Sequence, residues 1–315
     1  MGLKTTTVGS LPKPDAVRRA RRLYGDGDID REALREVEVA VIPEVIEVQQ
    51  QAGIDLLVAG EIDRGDMVSF FAEGWSGFEP AGLVRCFGNR YYRKPIIVDA
   101  VERNEPLAAP TWELAQQAAD KPVKANLTGP YTLLDWSFDE HYGDKEEALV
   151  ALTEAVAGEA EDLVAAGCSE IQIDEPAYGA LPEDGTLIAS ALEKIREAVG
   201  DGPRLWLHLC YGELAPILDT LFALPVDALV LELSHADPGL IARFEDLPTD
   251  KMLVAGVVDV NAGHVPTAET IARTIEPFAK IVPADRLWLS PDCGLKTFSV
   301  QQAKQLMANL VGAAD

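Results

Sequence analysis

No run of apolar residues in this 315-residue chain approaches the roughly 18 that a membrane-spanning helix requires, which excludes an integral helical membrane protein. The opening Met1-Gly2-Leu3-Lys4-Thr5 lacks the apolar core of a secretory signal, so a cytoplasmic location is expected. Basic residues are scarce: 27 Lys and Arg stand against 52 Asp and Glu, a formal net charge of −25. Nucleic acid and anionic membrane surfaces both need basic patches, so neither is an expected partner. The acidic excess reads as a solvated surface, as in proteins of a saline cytoplasm; the rival reading, a docking face for a basic partner, has no segment to localise it. Only four cysteines occur, at scattered spacing. That is no disulfide framework, and it leaves free thiols or metal ligands. Solenoid-type repeats and low-complexity tracts are missing too.

What is present is an alternation of short β-branched runs with helical patterns. Strands are expected at 5–9, 55–59, 123–127, 170–174, 204–209, 228–232, 253–258 and 287–290. Helical patterns fall at 31–52, 145–166, 186–199, 214–222, 238–244, 267–281 and 300–311. Eight strands alternating with helices predict an α/β fold, a (β/α)8 TIM barrel filling residues 1–315 as one domain. The interval 62–121 is too long for a strand-to-helix loop. It reads as an insertion after the second strand, a hairpin plus a short helix roofing the strand ends.

In such a barrel, chemistry gathers at the C-terminal ends of the strands. Those positions hold Ser10, Glu61, Thr128, Asp174, His208 with Cys210, Glu232, Asp259 and Cys293. Alternation with period two places Glu170, Gln172 and Asp174 on one face and Ile171 and Ile173 on the other. His208 and Cys210, two apart, share a face by the same rule. His208, Cys210, Glu232 and Cys293 together make a four-coordinate zinc set in which a weakly held carboxylate can yield to a substrate. Because the ligands are dispersed over separate strands, a packed core histidine at 208 is the competing interpretation. Cys168 precedes its strand and is expected to be a packed thiol at the opposite end. Cys86, inside the insertion, is open between packing and chemistry, with packing preferred.

Six ordered segments resemble the catalytic half of cobalamin-independent methionine synthases: Thr6-Thr7-Val8-Gly9-Ser10-Leu11-Pro12, Gly60 to Val68, Leu127 to Phe138, Ile171 to Ala177, His208-Leu209-Cys210-Tyr211, and Pro291 to Thr297. The resemblance implies zinc-dependent methyl transfer to the thiol of homocysteine, forming methionine, with Zn2+ on His208, Cys210, Glu232 and Cys293. It also implies that Ser10 holds the substrate carboxylate, Glu61 and Asp174 its ammonium, and Trp136 and Asp66 the pterin of a methyltetrahydrofolate-type donor. A large aromatic such as Trp136 can equally be a lid residue packed on the insertion. No catalytic residue is implied beyond the zinc centre.

Three departures bear on the donor. The long members of the family carry a second, N-terminal barrel with no counterpart here. Asn261 stands where the family usually has a histidine, with His264 displaced from that place, and His235 stands where the family usually has arginine. Methyl transfer from a corrinoid (methylcobalamin) donor, supplied by a corrinoid or other donor-carrying protein, is therefore the alternative. A non-catalytic barrel that binds zinc and an amino acid is an alternative of another class.

Overall fold

In the computed structural model, which describes residues 2–85, 91–180 and 184–315, all eight expected strands are present. They are β1 (Lys4–Thr5), β2 (Leu57–Val58), β3 (Val123–Thr128), β4 (Glu170–Asp174), β5 (Arg204–Leu209), β6 (Ala228–Glu232), β7 (Met252–Gly256) and β8 (Leu287–Ser290). One sheet holds them in the order β1-β8-β7-β6-β5-β4-β3-β2. Parallel registers join β1 to β8, β8 to β7, β2 to β3, β3 to β4 and β4 to β5. The two terminal strands of that order also meet: Thr6 bridges Leu56 in parallel, and the Asp55 and Leu56 N–H groups donate to the Thr5 carbonyl at 3.2 Å. This is the strand order of a (β/α)8 barrel.

The chain groups into two compact units. One comprises Met1–Asp63, Thr111–Lys124 and Val230–Asp315. Its strands β1 and β2 are shorter than the apolar pattern suggests. The Asp55 carboxylate accepts the Thr5 N–H at 2.8 Å and the Thr5 hydroxyl at 3.0 Å, which replaces a ladder bond by a side-chain one. The helix expected over 31–52 is two helices, Arg31–Ala40 and Ile42–Ala52. Pro43 has no N–H to give the preceding turn, so the first helix ends and the second starts with proline in its first turn. The closing helix Val300–Ala314 begins with a reciprocal capping box between Ser299 and Gln302 and buries Leu306, Met307 and Leu310. A helix Asp15–Gly25 lies outside the predicted set.

The other unit comprises Arg64–Pro110 and Ala125–Leu229. The long helix Lys145–Ala165 opens on Asp144, whose carboxylate accepts the Glu146 and Glu147 N–H groups. Here the insertion is a short helix, Ser69–Gly74, and an antiparallel pair, Ser76–Arg85 with Tyr91–Glu102; the helix that follows, Ala109–Ala118, belongs mostly to the first unit. A register shift after Ser76 requires Gly77, whose φ is +89° and whose missing Cβ would lie 2.7 Å from the Asp99 carbonyl. The pair leans on the long helix. Arg103 ion-pairs with Glu159 and Asp162, and the Leu107 and Ala108 N–H groups donate to the other Glu159 oxygen at 3.0 Å. Cys86 lies outside the described residues. Cys168 is the packed thiol expected of it, 2% exposed and pushed up to about 12 by burial. No helix among the described residues is long and apolar enough to cross a membrane.

Candidate active site at the strand ends

Alternation along β3, β4 and β5 sorts the side chains as the sequence predicts. Ile171, Ile173, Leu205 and Leu207 are fully buried on one face. On the other, register aligns Asn126 with Gln172 and Gln172 with Trp206, and one layer higher Thr128 with Asp174 and Asp174 with His208. Asp174 is 5% exposed, and its two oxygens accept from the Gln172 amide at 2.5 Å and the Asn126 amide at 3.3 Å. Amide donors orient the carboxylate without cancelling its charge. Arg64, from the Gly60–Val68 motif, donates to the Asn126 carbonyl at 2.6 Å, with its guanidinium 4.9 Å from the Phe70 ring centre.

The next residue, Glu175, turns away from that layer. Its oxygens accept from the Tyr131 N–H and from the Thr132 N–H and hydroxyl, between 2.7 and 3.0 Å. Complete burial outweighs these three donors and pushes the carboxyl up to about 7. It braces the helix Pro130–Asp135, which ends at Trp136. The Trp136 ring lies 5.3 Å from that of Tyr92 on the insertion, so it does pack there, and it stays half-buried. Asp66 is largely committed: it accepts the Val68 and Ser69 N–H groups and the Ser69 hydroxyl where the helix Ser69–Gly74 begins.

At the end of β5, His208 is 3% exposed, and Cys210, just past the strand, 6%. The chain then turns through Tyr211 at φ +60°, a left-handed conformation that non-glycine residues seldom adopt. Gly212 crosses Gly179 so closely that a Cβ on it would lie 2.6 Å from the Gly179 carbonyl carbon. Gly212→Ala must open this crossing. Overpacking of this kind costs about 1–3 kcal/mol, so the unfolding midpoint should fall by a few degrees in a thermal melt, and the segment holding Cys210 should loosen with it.

The loops after β1, β6, β7 and β8 supply the remaining predicted residues. Ser10 is 8% exposed; its carbonyl accepts the Leu295 N–H at 2.7 Å, and a Cβ on Gly294 would collide with its hydroxyl. Glu61 follows Gly60, and both are left-handed, at φ +52° and +77°. Asp292 laces the segment before Cys293 to the one after Glu232: it accepts the Ser234 hydroxyl and the Leu233 and Ser234 N–H groups. Burial, with Glu232 nearby, pushes its carboxyl up to about 8. At the neighbouring strand end, His235 Nε2 lies 3.1 Å from the Asp259 carboxylate, which also accepts the Asn261 N–H at 2.7 Å. The sequence marked His235, Asp259 and Asn261 separately, but not their contact. His264 is exposed, its Nδ1 3.2 Å from the Ala262 carbonyl.

Ligand atoms of His208, Cys210 and Cys293 lie within 4.8 Å of one another and can hold a metal ion. One imidazole and two thiols form a soft donor set that suits a thiophilic metal. Glu232, the fourth residue predicted for the set, is half-buried at the end of β6 and is not among the three that cluster.

The family model described as the catalytic domain of cobalamin-independent synthase matches residues 3–315. A methionine synthase of Saccharolobus solfataricus is 35% identical over 311 residues, covering 98% of this chain and 93% of its own length. Among solved structures, a B12-independent methionine synthase from Shewanella sp. W3-18-1, in complex with selenomethionine, superposes with a TM-score of 0.88 at 25% identity, covering 100% of this chain and 97% of that one. A putative vitamin-B12 independent methionine synthase from Listeria monocytogenes has the same fold, with a TM-score of 0.79 at 21% identity and coverage of 98% and 95%.

Proposed function

The chain belongs to the cobalamin-independent methionine synthase family and is a methyltransferase, and from that premise we propose that it methylates the thiol of homocysteine at a zinc centre, as a single barrel domain over residues 1–315. The observation that carries this reading is the cluster of His208, Cys210 and Cys293 at strand ends. Bound there, zinc supplies the means to keep a substrate thiol as its nucleophilic thiolate at neutral pH. Glu232 would be the fourth residue to hold the zinc in this reading, through a carboxylate that a substrate thiol could replace.

The chain's own residues bind and orient the amino acid. Asp174, oriented by its two amide donors, supplies the negative charge that meets the ammonium in this reading. Among the described residues the Glu61 carboxylate accepts no hydrogen bond, which leaves it free for the same ammonium. Ser10 and the adjoining backbone receive the carboxylate. The selenomethionine held by the Shewanella relative, a selenium analogue of methionine, supports an amino-acid product of this kind.

For the donor, Trp136 offers a half-buried ring on which a pterin can stack, so a methyltetrahydrofolate-type donor is preferred. Asp66 has little capacity left for that ring. The test is methionine formation from homocysteine with methyltetrahydrofolate, its polyglutamates and methylcobalamin side by side, before and after chelation. Turnover with a folate donor, lost on chelation and restored by zinc, is the expected result. Activity confined to methylcobalamin would move the donor to the corrinoid class. A fully active metal-free enzyme would end the zinc reading, and failure with every donor would favour the non-catalytic barrel.

A further inference from the structure

We propose that Lys13 is a positioning residue that fixes the backbone rotation of Glu61 and thereby sets the affinity for the substrate ammonium; this rests on the homocysteine reading above. Lys13 lies three residues after Ser10 and is half-buried. Its Nζ donates to the Glu61 carbonyl at 2.7 Å, while two residues earlier the Leu11 N–H donates to the Gly60 carbonyl at 3.0 Å. One short segment therefore grips two successive peptide groups.

Those two peptides need gripping. Gly60 adopts its left-handed angle freely, but Glu61 has a Cβ and does not. Glu61 and Tyr211 are the described non-glycine residues with positive φ. Relaxation of Glu61 to negative φ would swing its carboxylate to another direction. The strain sits on the one residue of this turn assigned to ligand binding, where strained backbone tends to gather.

The choice of a lysine for the grip is costly, which is the second observation. Burial, together with the Arg21 and Lys296 charges, pulls its ammonium down to about 8; the Glu61 and Asp63 carboxylates oppose this. An ammonium in that position spends a bond on a peptide carbonyl although two carboxylates lie within electrostatic reach. A hydrogen bond from a charged donor is stronger than a neutral one, and that strength suits it to hold a strained peptide.

The experiment compares Lys13→Met, which keeps the stem and removes the donor, with Lys13→Arg and Glu61→Gln. Homocysteine KM, kcat, bound zinc and the thermal midpoint are measured for each. Lys13→Met should raise KM by roughly tenfold or more, with kcat and zinc content near wild type, and Lys13→Arg should restore most of the affinity. If Lys13→Met does not accumulate as folded protein, the shorter neutral Lys13→Gln reads the same quantity. A wild-type KM in the donor-less variant overturns the proposal, as does a parallel fall of kcat, zinc content and stability. A raised KM in Glu61→Gln alone would reject the grip and keep the ammonium site. An unchanged KM in Glu61→Gln would reject both.

Discussion

Cys210→Ser and Cys293→Ser are each expected to abolish methyl transfer, with kcat/KM down by at least about 10³-fold, while the protein remains folded. Serine is nearly isosteric with cysteine, but its hydroxyl is a hard donor that stays protonated at neutral pH and does not replace a thiolate on a soft metal. The cluster would drop from three soft ligand atoms to two. Both residues follow the ends of strands β5 and β8, above the apolar layers that hold the chain together. Loss of a ligand there should therefore cost chemistry and not core packing. Metal analysis, a circular-dichroism melt and the activity assay check the three parts of the expectation. Wholesale unfolding of Cys293→Ser would make the metal a structural one. Cys168→Ser is the control: a thiol 2% exposed, donating to the Glu170 carbonyl, should trade some stability for a hydroxyl and keep its metal and activity.

Asp174→Asn should be the next largest loss, a fall in kcat/KM of about 10²-fold or more. The replacement removes the negative charge expected to meet the ammonium. It also turns one acceptor into a donor facing amide groups: the Gln172 and Asn126 Nδ2 or Nε2 atoms now donate to both carboxylate oxygens, and asparagine leaves one of them against another N–H. Loss of binding should appear mainly in the homocysteine KM. An effect on stability alone, with KM unchanged, would make Asp174 a structural residue of the β4 layer.

Much of this was readable in the chain itself. Strand positions follow from period-two alternation, a local property: Ile171 and Ile173 against Gln172 and Asp174 are enough to define β4 and its two faces. The concentration of ligating residues where apolar runs stop is equally local, so the sequence alone marks His208, Cys210 and Cys293. Helix boundaries depend on more than periodicity. Pro43 is visible in the sequence, yet the apolar periodicity runs past it, and the break appears only because its missing N–H decides the turn.

The amino-acid sequence by itself determined the barrel, its insertion and the residue types at the strand ends. Each depends on neighbours a few positions apart, where propensity and periodicity act. The tertiary structure alone decided which of those residues meet. Register between strands sets Asp174 beside His208, and three ligand atoms from segments more than 80 residues apart come together while Glu232 stays outside their group. The Lys13 bond to the Glu61 carbonyl, the His235 contact with Asp259 and the Gly212 crossing of Gly179 likewise join residues that no local pattern connects. Such pairings depend on how distant segments pack, and packing is set by the whole fold rather than by the residues that happen to touch.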